Sequence, residues 1–243
     1  MKMAITNQPQ TYVLVHGANH GGWCFNRTAE RLRGQGHRVF APTLTGLAER
    51  SRDPVGAINL TTHINDILSL FKWEELEDAV LVGHSYGGMV ISGVADKIPE
   101  KIRNLVFLDA VVPENGKCMA DYTFPGDMLL QVLHAVGSVG GGLWLPAPPA
   151  AFFNINEADR VMADRLCTPH PMASLLEKIS IGTNTESIKH HTYIFATNWN
   201  FPPIMQQYEL AKARPGWKTF EVECGHDIML DKPAELAEIL SGL

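Results

Sequence analysis

Apolar residues gather into six short runs along the chain, at 12–16, 38–41, 79–82, 104–108, 192–196 and 218–222. The run at 79–82 shows no polar alternation, as expected of a strand in the middle of a parallel sheet with both faces covered. Between the runs the period changes. Ile64, Ile67, Leu68 and Phe71 stand at i, i+3, i+4 and i+7, which lines one face of a helix. Leu236, Ile239, Leu240 and Leu243 repeat that pattern after Pro233, a residue suited to a helix's first turn. The alternation predicts an α/β architecture, a mostly parallel six-stranded sheet flanked by helices.

The rhythm fails between 113 and 191. This interval is far longer than one crossover helix requires, carries no convincing strand, and holds helical patterns near 157–166 and 171–180. It reads as a helical cap insertion at 113–191, within a core formed by 1–112 and 192–243. Long irregular segments in compact domains are usually functional. Met119, Phe124, Met128, Leu129, Leu133, Trp144, Phe152 and Phe153 crowd it, which suggests an apolar pocket, although some of these side chains are expected simply to pack the insertion onto the core.

A length of 243 residues and a net charge of -6, with no run of Lys or Arg, offer no footprint for nucleic acid or an anionic membrane. No stretch approaches the ~20 apolar residues of a membrane span, and the first ten residues lack a secretory core, so a cytoplasmic chain is expected. Cys24, Cys118, Cys167 and Cys224 are widely separated and read as reduced thiols. The ten histidines form no pair at helical metal-ligand spacing beside carboxylates or thiols, and no structural metal is expected.

Directly after the buried run at 79–82 comes Gly83-His84-Ser85-Tyr86-Gly87, a G-x-S-x-G turn followed by a helical pattern to Lys97. Strand, sharp turn and helix together are the setting of a nucleophile elbow, in which the serine takes a strained conformation and its neighbours two residues away must be small. In a plainer role, Ser85 would merely cap the helix. A serine nucleophile needs a base, and His226 is the candidate, past the last predicted strand and before the final helix. An oxyanion hole needs two backbone donors. The Tyr86 amide opens the helix, and Ala18 lies in the glycine-containing loop after the first strand. His16 is expected to order that loop, and His20 and Trp23 to line or support the pocket.

HGANHGGW, PTLTGLAERS, VLVGHSYGGMV, VFLDAVVPE and CGHDIMLDKPAEL together resemble the α/β-hydrolase superfamily, near the branch of plant methylesterases, hydroxynitrile lyases and bacterial esterases. The resemblance spans nearly the whole chain, least of all the insertion, which in that family caps the substrate pocket. It implies Ser85 as nucleophile, His226 as base, and the amides of Ala18 and Tyr86 as the oxyanion hole. Members similar to the plant methylesterases place an aspartate after the penultimate strand. Here that strand runs out in Ala196-Thr197-Asn198-Trp199-Asn200, with no carboxylate. Asp109 is the chosen acid, because it ends the run at 104–108 and some α/β-hydrolases carry theirs after that strand. Its plainer role would be a cap at the entrance to the insertion. Asp227 adjoins His226 and should diverge from it, and Asn198 could hold an imidazole only as a neutral partner.

The expected activity is that of a serine carboxylic-ester hydrolase working through an acyl-enzyme on a small to medium aryl or alkyl ester. Gly17, His20, Trp23, Trp144 and Phe152 are its candidate pocket residues. No cofactor is required, the partner is a small-molecule ester, and a homodimer stays open. Related lyases have threonine in place of Gly17 and lysine in place of Asp227, which argues against cyanohydrin cleavage. The alternatives on the same fold are a cofactor-free oxygenase or lyase and a catalytically silent binding protein.

Overall fold

The computed structural model describes residues 8–52, 58–124, 126–139 and 141–243. Most of the N-terminal stretch read for a secretory core, residues 1–7, therefore lies outside the described residues. Six strands form one sheet: β1 (Thr11–Val15), β2 (Arg38–Phe40), β3 (Ala79–His84), β4 (Ile102–Leu108), β7 (His190–Ala196) and β8 (Trp217–Val222). Their order is β2-β1-β3-β4-β7-β8 and every pairing is parallel. All six residues of β3 are buried, as its unbroken apolar run predicts.

Alternation along each strand divides the core between the two faces. Val13, Val15, Leu81, Leu105, Phe107 and Tyr193 point to the face covered by α2 (Leu60–Trp73), α3 (Gly87–Lys97) and α8 (Pro202–Ala213). Tyr12, Leu14, Val80, Val82, Val106 and Ile194 point to the other, under α1 (Asn26–Gly34) and α10 (Pro233–Ser241). The stripes of α2 and α10 supply Ile64, Ile67 and Phe71 to the first face and Leu236 and Leu240 to the second. Each such side chain, fully buried, contributes about 1.5–3 kcal/mol. Asn59 caps α2 by accepting from the Thr62 amide while Thr62 reaches back to the Asn59 amide, which fixes where the helix begins.

Between β4 and β7 the chain forms α4 (Met119–Thr123), α5 (Met128–Val139), α6 (Glu157–Leu166) and α7 (Met172–Leu176). It also holds a strand pair that apolar patterning does not reveal, β5 (Trp144–Leu145) antiparallel to β6 (His170–Pro171). Two-residue strands are too short to show a period, and this pair exists only because the loops and helix between them return one to the other. After β8 come the single turn α9 (Ile228–Asp231) and α10. No helix among the described residues is long and apolar enough to cross a membrane.

Candidate active site

The carboxyl ends of β1, β3, β4 and β8 bring the singled-out residues to one edge of the sheet, where α/β folds place their sites. Ser85 follows β3 with φ of 53°, in the left-handed region that a non-glycine residue enters at a cost of about 1–3 kcal/mol. Its backbone is held on both sides. The Ser85 amide donates to the Leu108 carbonyl (3.2 Å), and the Ser85 carbonyl accepts from Gly88 (3.0 Å) and Val111 (3.3 Å). The neighbouring glycines are required by contact. A Cβ on Gly83 would sit 2.5 Å from the Gly87 carbonyl oxygen, and one on Gly87 would sit 2.7 Å from that of Val15.

Asp109, the residue after β4, is also left-handed (φ 45°) and completely buried. Its Oδ1 accepts from the Ala196 amide (3.0 Å) and its Oδ2 lies 2.6 Å from His226 Nδ1. A carboxylate with no solvent thus has two partners, which offset part of its desolvation. Burial pushes the Asp109 carboxyl well above the ordinary range, with the Ala196 N–H working the other way. Burial pushes His226 down to about 3, partly offset by the charge of Asp227. A proton on the Nδ1 side serves this bond and leaves Nε2 a bare acceptor, the state that a general base needs.

Aromatic rings enclose the His226 imidazole. Trp199 lies 3.9 Å from it, centroid to centroid, and Phe153 is stacked at 5.5 Å. Trp199 is anchored by its indole N–H on the Phe152 carbonyl (2.9 Å), and the His226 amide donates to the Phe153 carbonyl (2.9 Å). Neither ring stands out in the sequence as a neighbour of His226. The chain from β7 that lacks a carboxylate supplies an indole instead.

The loop after β1 passes close by. A Cβ on Gly17 would meet the Ser85 Cβ at 2.8 Å, so only glycine lets that loop lie against the serine. His16 donates from Nδ1 to the Gly17 carbonyl (2.8 Å) and accepts at Nε2 from the Leu44 amide (3.0 Å), and burial lowers it to about 3. Its neutral ring pins the loop. Among the described residues no protein acceptor is bonded to the amides of Ala18 or Tyr86. The Tyr86 side chain points away and donates to His63 Nδ1 (2.8 Å).

His20 is buried, with Nδ1 2.8 Å from the Ala18 carbonyl oxygen and Nε2 2.9 Å from Asp227 Oδ2. Trp23 stacks on it at 5.5 Å. Asp227 is therefore hydrogen-bonded not to its neighbour His226 but to a histidine 207 positions earlier. Asn198 is exposed, and its carbonyl accepts from Asn154. Phe152 is 52% exposed and its ring edges meet Phe153, Trp199 and Phe201, which ties it to the wall around His226. Trp144 is half-buried on β5, and Met128 and Leu133 face solvent on α5.

His84, His226 and Asp227 also have ligand-type atoms within 4.8 Å of one another, a grouping no local spacing reveals. His84 Nε2 donates to the His226 carbonyl (3.2 Å) and Asp227 Oδ2 is bound to His20, while His84 Nδ1 and Asp227 Oδ1 have no hydrogen-bond partner among the described residues.

A sequence profile of the alpha/beta hydrolase family matches residues 12–239. An esterase of Nocardioides sp. (strain SG-4G), named carbendazim hydrolyzing esterase, is 42% identical over 239 residues, 96% of this chain and 98% of its own. Putative methylesterase 13, chloroplastic, of Arabidopsis thaliana is 26% identical over 96% of this chain and 56% of its own length. An extracellular alpha/beta-hydrolase from a Paenibacillus species shares the fold with a TM-score of 0.83, at 24% identity over 96% of this chain and 98% of that one. The chain belongs to the alpha/beta hydrolase family. Within it, the esterase relatives mark it as a carboxylesterase-type hydrolase.

Proposed function

We propose that Ser85, His226 and Asp109 are the catalytic triad of a serine esterase that works through an acyl-enzyme. The observation that carries this reading is the 2.6 Å bond between His226 Nδ1 and Asp109 Oδ2, at the sheet edge where Ser85 sits strained at the head of α3. His226 Nε2 takes the Ser85 proton as Oγ attacks the ester carbonyl, then returns it to the departing alcohol. Asp109 holds the Nδ1–H tautomer and balances the imidazolium. The uncommitted amides of Ala18 and Tyr86 receive the developing oxyanion. A water molecule repeats the sequence on the acyl-enzyme and releases the acid. None of these steps draws on a cofactor.

The substrate we propose is a small to medium aryl or alkyl ester, with the insertion acting as a cap over the pocket; it stops at residue 189 rather than 191, because His190 and His191 pair into the sheet as the start of β7. The rings of Phe152, Phe153, Trp199 and Phe201 beside His226 support an apolar leaving or acyl group. The net charge of -6 favours a small-molecule substrate over nucleic acid or an anionic membrane surface, and the cytoplasm is the compartment we propose for it.

A fluorophosphonate probe tests the chemistry, with the adduct mapped by mass spectrometry. Labelling on Ser85 that disappears in His226→Ala supports the reading. A chain that takes no label while folded is a silent binding protein. A panel of p-nitrophenyl, methyl aryl and lactone esters, with carbendazim included because a 42% identical relative is named for it, then sorts the substrate class.

Shortening Phe152 to Ala, or Trp144 to Leu, is expected to change the rank order of esters on that panel more than it changes melting temperature. Phe152 is half exposed, so little core is lost on its removal. A uniform loss across all esters with a collapsed melting temperature would make these rings structural.

A further inference from the structure

Three hydrogen bonds run in line through the buried layer beneath the proposed catalytic groups, each involving a residue next to one of them. His20, two positions beyond Ala18, donates through Nδ1–H to the Ala18 carbonyl (2.8 Å) and through Nε2–H to Asp227 Oδ2 (2.9 Å). Asp227 directly follows His226. The His226 carbonyl accepts from Nε2–H of His84 (3.2 Å), and His84 directly precedes Ser85. The second Asp227 oxygen lies 3.6 Å from that same His84 nitrogen. His20, His84 and Asp227 are all buried, with at most 1% of their surface exposed.

We propose that His20, Asp227 and His84 form a positioning cluster that locks together the three loops carrying the oxyanion amide, the base and the nucleophile. The inference rests on the triad proposed above. Each loop follows a different strand, β1, β8 or β3, and no local hydrogen bond can set the distance between them. Both acceptors of His20 demand N–H donors, so the ring is an imidazolium and Asp227 is its counter-charge. Burial works against both charges. The Asp227 carboxylate outweighs it at His20, held well above the usual histidine range, and the His20 charge outweighs it at Asp227, held well below the usual carboxylate range. His84, pushed far down by burial, stays neutral and donates only to the main chain of His226.

A buried ion pair is a costly way to gain stability, since apolar side chains of similar volume usually do as well. What the charged pair adds is direction. His20 bonds at two fixed angles, one to each loop, where packed alkyl groups would leave the loops free to slide. Neither His20 nor Asp227 is exposed to a substrate, so both act through the groups they hold.

The test is steady-state turnover of a p-nitrophenyl ester by His20→Gln, Asp227→Asn and the double variant, with melting temperatures alongside. Each single substitution is expected to lower kcat by about 10²-fold, the scale on which small misplacements of catalytic groups act, with KM close to wild type. The double variant is expected to lose no more than the worse single, because the pair works as one unit. If a single variant fails to fold, the double carries the test, since it leaves no buried charge unpaired. A folded double variant with wild-type kcat overturns the proposal, as do additive losses or a rise in KM alone. Ser85→Ala in the same assay separates the two readings. If it still turned over ester, the triad would fall and the cluster's role with it; if it is dead while the pair variants match wild type, only the cluster's role falls.

Discussion

Ser85→Ala is expected to abolish ester turnover while the fold melts at the wild-type temperature. Removing a serine nucleophile that acts with its base costs about 10⁶-fold in kcat, the largest single effect foreseen for this chain. The fold should tolerate it well. Alanine keeps the Cβ that already fits the left-handed turn, and the three main-chain bonds that hold residue 85 do not involve the hydroxyl. The measurement is kcat on p-nitrophenyl esters beside thermal melting. Residual turnover of more than a few per cent in the folded variant would remove Ser85 from the chemistry.

Asp109→Asn is expected to lower kcat by about 10⁴-fold with KM little changed. The amide is nearly isosteric and its oxygen can still accept from Ala196 N–H, so the sheet edge should keep its shape. At the other oxygen's position an NH₂ would face His226 Nδ1. Bonding there requires Nδ1 to accept, which moves the imidazole proton to Nε2, the atom that must be bare to receive the Ser85 proton. The same change removes the negative charge opposite the developing imidazolium. Asn198→Ala serves as the control, since that side chain is exposed and the His226 Nδ1 bond goes to Asp109. An active Asp109→Asn with a dead Asn198→Ala would move the third member to the end of β7. The 10²-fold loss foreseen for Asp227→Asn is two orders smaller, which separates holding the base in place from balancing its charge.

Local pattern was enough for most of the fold. Six runs of the right length and polarity predict strands, and the observed strands differ from them by one or two residues at their ends, where hydrogen bonding rather than periodicity decides. The helix faces of α2 and α10 are equally plain, because a 3.6 period shows within a dozen residues. Ser85 could be singled out because strand, G-x-S-x-G and helix are contiguous, and His226 because chain order places it past the last strand. Asp109 drew attention as an acid at the end of an apolar strand and through the missing carboxylate at 196–200. Its choice still depended on a family resemblance, since spacing by itself does not pair it with a histidine 117 positions away.

What tertiary structure alone decided is everything that depends on loops from different strands meeting. The ring clamp of Trp199 and Phe153 on His226 joins the ends of β7 and β8 to the segment before α6. The pair β5 and β6 has no periodic signature because two residues have no period. The direction of Asp227 was half legible: neighbouring side chains diverge, so it could be set aside as the partner of His226. Its actual partner, His20, could not be read, because a separation of 207 residues leaves no local trace. Sequence patterning records which face of an element is buried. Which buried polar groups find each other is settled only when the sheet order β2-β1-β3-β4-β7-β8 brings the strand ends side by side, and the cost of leaving a buried charge unpaired then admits few arrangements.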